Sequence, residues 1–279
     1  MDEQKSKSVI EWSFSFGDLG DSIQQSLRHL GVQEEVKTAR FSEALGGATS
    51  ASVRLDLSVG KMIVRPLADS DNLIEADVRY IGEIDFNFSG EAEKRVRLGQ
   101  KNIPSVVAPF KAVLGMVANR DDLRWDIALS PNLPLDLDIH GGVGVAKLDL
   151  SGLQLKRLKL DGGVGETQLT LPAMPSAYPV DIDGGVGETT VTLADGAAAQ
   201  MRVDGGVGGV KIRLPGTAAA RIEVQGGLGG AKLAPRFRRI QGGDDFIGSS
   251  GVWETEGFAL AAQQIVIAFH GGVGGLKVS

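Results

Sequence analysis

The chain of 279 residues contains no cysteine, which excludes disulfide staples, thiolate nucleophiles and Cys-ligated zinc. Histidine is nearly as scarce, with 3 residues, too few for a multi-His metal centre. Aromatics make up 5% of the chain, and the stretch 140–232 carries only Tyr178, so it lacks the stacking platform of a sugar cleft. A basic surplus is missing too. The net charge of −6 and pI near 5.2 argue against nucleic acid, because phosphate binding needs a concentrated positive surface. No apolar run reaches the ~18 residues of a membrane-spanning helix, and the start MDEQKSKSVIEWSFSF has no apolar core of a secretory signal. The expected location is cytoplasmic, with membrane association only through partners.

What the chain has instead is glycine, 39 residues, spaced at a fixed period. The tetrapeptide GGVG occupies Gly141, Gly142 and Gly144 with Val143, and recurs at Gly162, Gly163, Gly165; Gly184, Gly185, Gly187; Gly205, Gly206, Gly208; and Gly271, Gly272, Gly274. A GGLG variant holds Gly226, Gly227 and Gly229. Successive starts are 21, 22, 21, 21 and 45 residues apart. The last interval is about two periods, and Gly242-Gly243 within it reads as a degenerate copy.

The flanks repeat with the glycines. Counting the first glycine as zero, position −4 is Leu137, Leu158, Val180, Met201, Ile222 and Ile267, and position −2 is Ile139, Leu160, Ile182, Val203, Val224 and Phe269. Position +2 is always Val or Leu, and position +7 is Leu148, Leu169, Val191, Ile212, Leu233 and Val278. Such alternation marks half-buried strands. Apolar parity changes between +2 and +7, which places a bend at the glycine in the fourth place of the motif. Each period reads as strand, glycine corner, strand and a return such as LPAMPSAYP. Two short strands cannot bury a face alone, but rungs stacked at ~4.8 Å make a continuous core. The expected architecture is an all-β solenoid; an ordinary β-sandwich with Gly-rich turns is the competing one.

The run WDIALSPNLPLDLDIHGGVGVAKLDLSGLQLKRLKLDGGVGETQLTLP, the further GGVG copies, and the later GSSGVWETEGF and QQIVIAFHGGVGGLKVS resemble the toast-rack or LiaF-type domain of bacterial envelope-stress proteins, related to adhesin β-helix families. The resemblance spans roughly 46–279, most clearly from Trp125 onward. It implies a right-handed, single-stranded parallel β-helix and a link to membrane-stress systems.

Outside the regular copies, 46–124 reads as further rungs or a cap, with a loop and short helix around Pro109 to Ala118. Residues 1–45 read as a separate segment. Ile10, Trp12, Phe14 and Phe16 alternate, then Leu19, Ile23, Leu27 and Leu30 follow at helical spacing, with Asp18 and Gly31 as caps. Packing on the solenoid flank, docking of a protein partner and contact with a membrane surface are the three readings. At the other end, the last copy suggests an exposed rung edge open to self-association, unless residues 235–263 fold back over it.

Two constellations bear on chemistry. Position −1 forms a column, His140, Asp161, Asp183, Asp204, Gln225 and His270, which reads either as solvated turn residues or as a Ca²⁺ site. His140 and His270 are expected about six rungs apart. Glu166 and Glu188 share another column and Lys147, Lys211, Lys232 and Lys277 a third, the one arrangement that hints at glycoside hydrolysis. The weight falls on a non-enzymatic scaffold or sensor, without cofactor or metal, that binds protein partners and self-associates through a solenoid end. An adhesin-like or glycan-binding surface module is the alternative.

Overall fold

The computed structural model describes residues 36–101, 123–242, 244–245 and 248–279. Among them the structure is β throughout, apart from one 3₁₀ turn at Phe258–Leu260. The strands are β1 (Lys37–Ala44), β2 (Ser50–Asp56), β3 (Val59–Pro66), β4 (Asn72–Tyr80), β5 (Glu83–Ser89), β6 (Glu93–Lys101) and β7 (Arg124–Leu129). The regular part continues with β8 (Pro134–His140), β9 (Val143–Asp149), β10 (Gln154–Asp161), β11 (Val164–Leu171), β12 (Tyr178–Asp183) and β13 (Val186–Leu193). Then come β14 (Ala199–Asp204), β15 (Val207–Arg213), β16 (Ala219–Gln225) and β17 (Ala231–Leu233). The last are β18 (Phe237–Gln241), β19 (Asp244–Asp245), β20 (Gly248–Ser249), β21 (Gly251–Thr255), β22 (Gln264–His270) and β23 (Leu276–Val278).

Each rung gives one strand to each of two sheets. The first sheet runs β1-β4-β7-β3-β9-β11-β13-β15-β23-β17, and the second β18-β21-β16-β22-β14-β12-β10-β8-β2-β6-β5. Pairing from β3 to β17 and from β6 to β16 is parallel and in register, so that Gly144, Gly165, Gly187 and Gly208 stand side by side. The core lies between the sheets. Positions −4 and −2 of every copy are buried, from Leu137 and Ile139 through Ile267 and Phe269, and they face a layer containing Leu148, Leu169, Val191 and Ile212. This is the solenoid that the period implies.

The bend comes earlier than expected. The first two glycines of each copy lie between strands. In the copies starting at Gly141, Gly162, Gly184 and Gly205 the following Val already opens the second strand, while Leu228 and Val273 form isolated bridges ahead of β17 and β23. Parity therefore switches at the glycine pair, and the Val side chain points outward instead of into the core. The ladder continues through the corner: Gly162 N–H donates to Asp183 O (2.6 Å) and Val164 N–H to Gly142 O (2.8 Å). Glycine stacks on glycine because the carbonyls of neighbouring rungs occupy the space a Cβ needs. A side chain on Gly162 would meet Asp183 O on one side, and one on Gly163 would overlap Gly142 O on the other.

Rung order departs from sequence order at both ends. Strands β22 and β23, from the last GGVG copy, are inserted between β14–β15 and β16–β17. The expected exposed edge at that copy is therefore corrected, since its strand β22 pairs on both sides and Ile267 is fully buried. Residues 235–263 build no extra rung; β21 and β18 close the β16 edge antiparallel, with Thr255 Oγ1 accepting from Ala220 N–H at 2.9 Å. Gly242 is no corner glycine, and Gly243 lies outside the described residues.

The other end uses the same device. Rung β6–β7 sits outside β2–β3 although it follows it in sequence, and the reversed pair β4–β5 caps it antiparallel. Residues 102–122, between β6 and β7 in sequence, lie outside the described residues, and with them the expected helix around 109–118. Strand β1 pairs antiparallel along β4, so the β-body reaches back to Lys37, not Gly46.

Candidate functional site

The corner brings the repeat's invariant positions onto one edge of the molecule. On its outermost line, register places Val59, Val143, Val164, Val186 and Val207 in one row, continued by Val273 and Leu228 through isolated bridges. The sequence pattern hinted at core for these residues, yet Val186 is 47% exposed, Val207 54%, Val273 55% and Leu228 58%. The available signal was parity: +2 and +7 differ by an odd number, so in one strand they face opposite ways.

Beside this ridge runs the −1 column, in the order Asp56, His140, Asp161, Asp183, Asp204, His270 and Gln225. His140 and His270 are four rungs apart because β22 is inserted next to β14, and they bracket the three aspartates. His140 Nδ1 lies 2.7 Å from Asp161 Oδ2, and His270 Nδ1 lies 2.9 Å from Asp204 Oδ1. Lys159 Nζ sits 3.0 Å from Asp161, and Arg202 Nε 3.0 Å from Asp204. Lys159 and Arg202 donate hydrogen bonds to their aspartates, whereas His270 Nδ1 lacks hydrogen-bond alignment with Asp204.

The middle aspartate differs from its neighbours. Burial, a hydrogen bond to Asp161 and the charges of Asp161 and Asp204 raise the Asp183 pKa. Burial also works to raise Asp161, but Lys159 and His140 outweigh it and leave that carboxyl lowered. The two have opposite consequences for stability. Asp161 stabilises above its unfolded pKa, and this is lost as pH falls through its folded value. Asp183 favours folding at low pH, and that contribution disappears as pH rises through its raised value. The Asp183→Asn variant should therefore melt slightly higher at pH 7, by about 0.5 kcal/mol or less because the site is solvent-screened, with the gain vanishing near the bottom of the carboxylate range. A lower melting temperature at pH 7 in differential scanning calorimetry would remove the repulsion at Asp183.

The other constellation lies on the outer face of the first sheet. Glu166 and Glu188 are register partners, and with Gln168, Thr170, Thr190 and Arg213 they line a polar trough of about 270 Å³. Glu188 is engaged by Lys211 at 2.6 Å and Glu166 by Gln168 at 2.6 Å. Lys211, Lys277 and Lys232 are neighbours, and Lys147 stands apart beyond Gln168 and Thr190. Among the described residues no group of three or more His, Asp or Glu has the arrangement to hold a metal ion.

The basic run Arg236–Arg239 clamps the closing hairpin. Arg236 donates to Pro215 O and Gly216 O (2.6 and 2.7 Å) and stacks on Phe237, while Arg239 lies over Trp253. The sequence-derived docking residues Trp12, Phe14, Phe16, Leu19, Ile23, Leu27 and Leu30 lie outside the described residues.

Comparison with known proteins adds the following. The family model for the N-terminal domain of toast_rack, DUF2154, matches residues 31–192. No curated protein matches the sequence. Among solved structures, a candidate cell adhesion protein from Clostridium sporogenes superposes with a TM-score of 0.56 at 18% identity, over 88% of this chain and 99% of that one. A candidate adhesin from Bacteroides fragilis gives a TM-score of 0.35 at 14% identity, over 89% and 100%.

Proposed function

The chain belongs to the family of the toast-rack N-terminal domain, and we propose that it is a non-catalytic scaffold or sensor whose long, regular faces bind protein partners in a bacterial envelope-stress or related signalling assembly. The observation that carries this reading is the state of the outward-facing charges. They pair within the sheet plane, Arg54 with Asp56 and Asp138, Arg221 with Glu254, Lys211 with Glu188, instead of converging on an enclosed cavity. A stack whose inner rungs are each held by two neighbours is also stiff, and antiparallel strands close it at the β4–β5 end and along β16. Such a body suits holding partners at fixed spacing better than enclosing a substrate. The location follows the partners: cytoplasmic, and at a membrane through them.

The amphipathic segment upstream of β1 is the proposed docking element, since Trp12, Phe14 and Phe16 supply large apolar area on an otherwise aromatic-poor chain. Affinity capture from envelope-stressed bacterial lysate tests this with the full chain and a chain starting at Val36, which preserves β1. Specific recovery of membrane-stress proteins by the full chain, lost on truncation or in Trp12→Ala/Phe14→Ala/Phe16→Ala, is the expected result. Recovery unchanged by both alterations would overturn the docking assignment. Selective binding on a glycan array with no protein captured would favour the adhesin-like module instead.

A further inference from the structure

The aliphatic ridge along the corner has no packing task inside the molecule. Its flanks at positions 0, +1 and +3 are glycines, so Val186, Val207, Val273 and Leu228 stand clear of their surroundings with roughly half of each exposed. Contiguous exposed apolar surface on this scale marks an interaction site. At one strand spacing, ~4.8 Å, the seven-residue row is ~29 Å long; its exposed part is Val186, Val207, Val273 and Leu228, continued by the half-buried Val164, Val143 and Val59.

We propose that this ridge is an interface between two copies of the chain, packed ridge against ridge. Spacing decides the partner. A helix presents side chains at ~5.4 Å per turn, drifting from a ~4.8 Å ladder by ~0.6 Å each step and by most of a spacing along the ridge. A second rack has the same spacing by construction and stays in step throughout, its methyl groups entering the gaps above the glycines. Mutual burial of two such ridges covers on the order of 1,000 Å², the lower limit for a specific interface. The expected product is accordingly a weak, reversible dimer.

The flanks permit the approach despite the net charge of −6. Asp161, Asp204 and Glu188 each carry a cation from their own or the adjacent rung, Lys159, Arg202 and Lys211. Asp183 makes no ion pair among the described residues and feels Lys159 only at longer range. These ion pairs reduce the repulsion between facing copies. The ridge also differs from the stack ends, where antiparallel strands cover β7, β6 and β16 and, of the rung strands, leave only the three-residue β17 at an edge.

Sedimentation velocity of the full chain, from micromolar to near-millimolar concentration, is the first test. The sedimentation coefficient should rise with concentration for the native chain and stay at the monomer value for Val186→Lys/Val207→Lys/Val273→Lys, with circular dichroism and melting retained. The absence of native cysteine supplies a second readout that does not depend on the lysine variant folding. Val207→Cys should form a disulfide-linked dimer under mild oxidation at least tenfold faster than Leu260→Cys, a control site that is 94% exposed. A native chain that stays monomeric throughout, a lysine variant that still dimerises, or equal cross-linking at the two sites would each overturn the proposal.

Discussion

Substituting Gly163 by Val is expected to cost about 4 kcal/mol or more, the range reserved for changes the backbone cannot absorb, lowering Tm by roughly 10 °C. The cause is stacking. Gly163 has no positive φ, but its missing Cβ is the space filled by the Gly142 carbonyl. Accommodating any side chain there means separating two rungs and breaking the Val164 N–H to Gly142 O bond. Gly185→Val should be at least as harmful, since its φ of 42° adds strain to the same overlap with Gly163 O.

Two other glycines, one just after a GGVG copy and one opening the GGLG copy, serve as controls. Gly209 has open space around its Cβ position and no positive φ, so Gly209→Ala should change stability by less than about 0.5 kcal/mol. Gly226 also has open space but sits at φ 67°, because no rung stacks beyond it, and Gly226→Ala should cost about 1 kcal/mol from strain alone. Thermal melts of the four variants separate close approach from conformation. If Gly163→Val melted like Gly209→Ala, the corner would not be a backbone contact at all.

The second large effect concerns residues 264–279. A peripheral rung would exchange its amides readily and tolerate truncation. This rung is interior: Ile265, Ile267, Phe269, Leu276 and Val278 are buried, and β22 is bonded to β14 on one side and β16 on the other. Amides from Ile265 to Phe269 should be as protected from hydrogen exchange as those of Val180 to Ile182, because neither segment can open without breaking two ladders. The variant Ile267→Ala should lose about 3 kcal/mol. Removal of 264–279 should leave β16, β17, β18 and β21 without a seat, so that residues 219–263 become sensitive to protease. Fast exchange at 265–269 in the intact chain would refute the insertion.

The repeat was legible because its residues report on their immediate neighbours. Alternation at −4, −2 and +7 marks the buried layer, and recurrence of glycine at one register marks a position where successive rungs touch. Both are properties of a single rung and its copy. The direction of the +2 valine was readable as well, from parity along the strand, but the abundance of aliphatics invited a core assignment. Branched apolar residues in every copy look the same whether they fill a core or crown a ridge, so residue type alone does not tell the two apart.

By itself the sequence determined the two-strand rung, the glycine corner, the stacking register and the family to which these belong. It did so because each depends on contacts repeated at a fixed separation along the chain. The tertiary structure alone decided the order in which the rungs stack. Every GGVG rung offers nearly the same edges, so pairing energy hardly distinguishes a neighbour in sequence from one 45 residues away, and the antiparallel closures at β4–β5 and β18–β21 set which slots remain open. That choice put His270 beside Asp204, made the last copy interior, and extended the valine row through Val273 to Leu228.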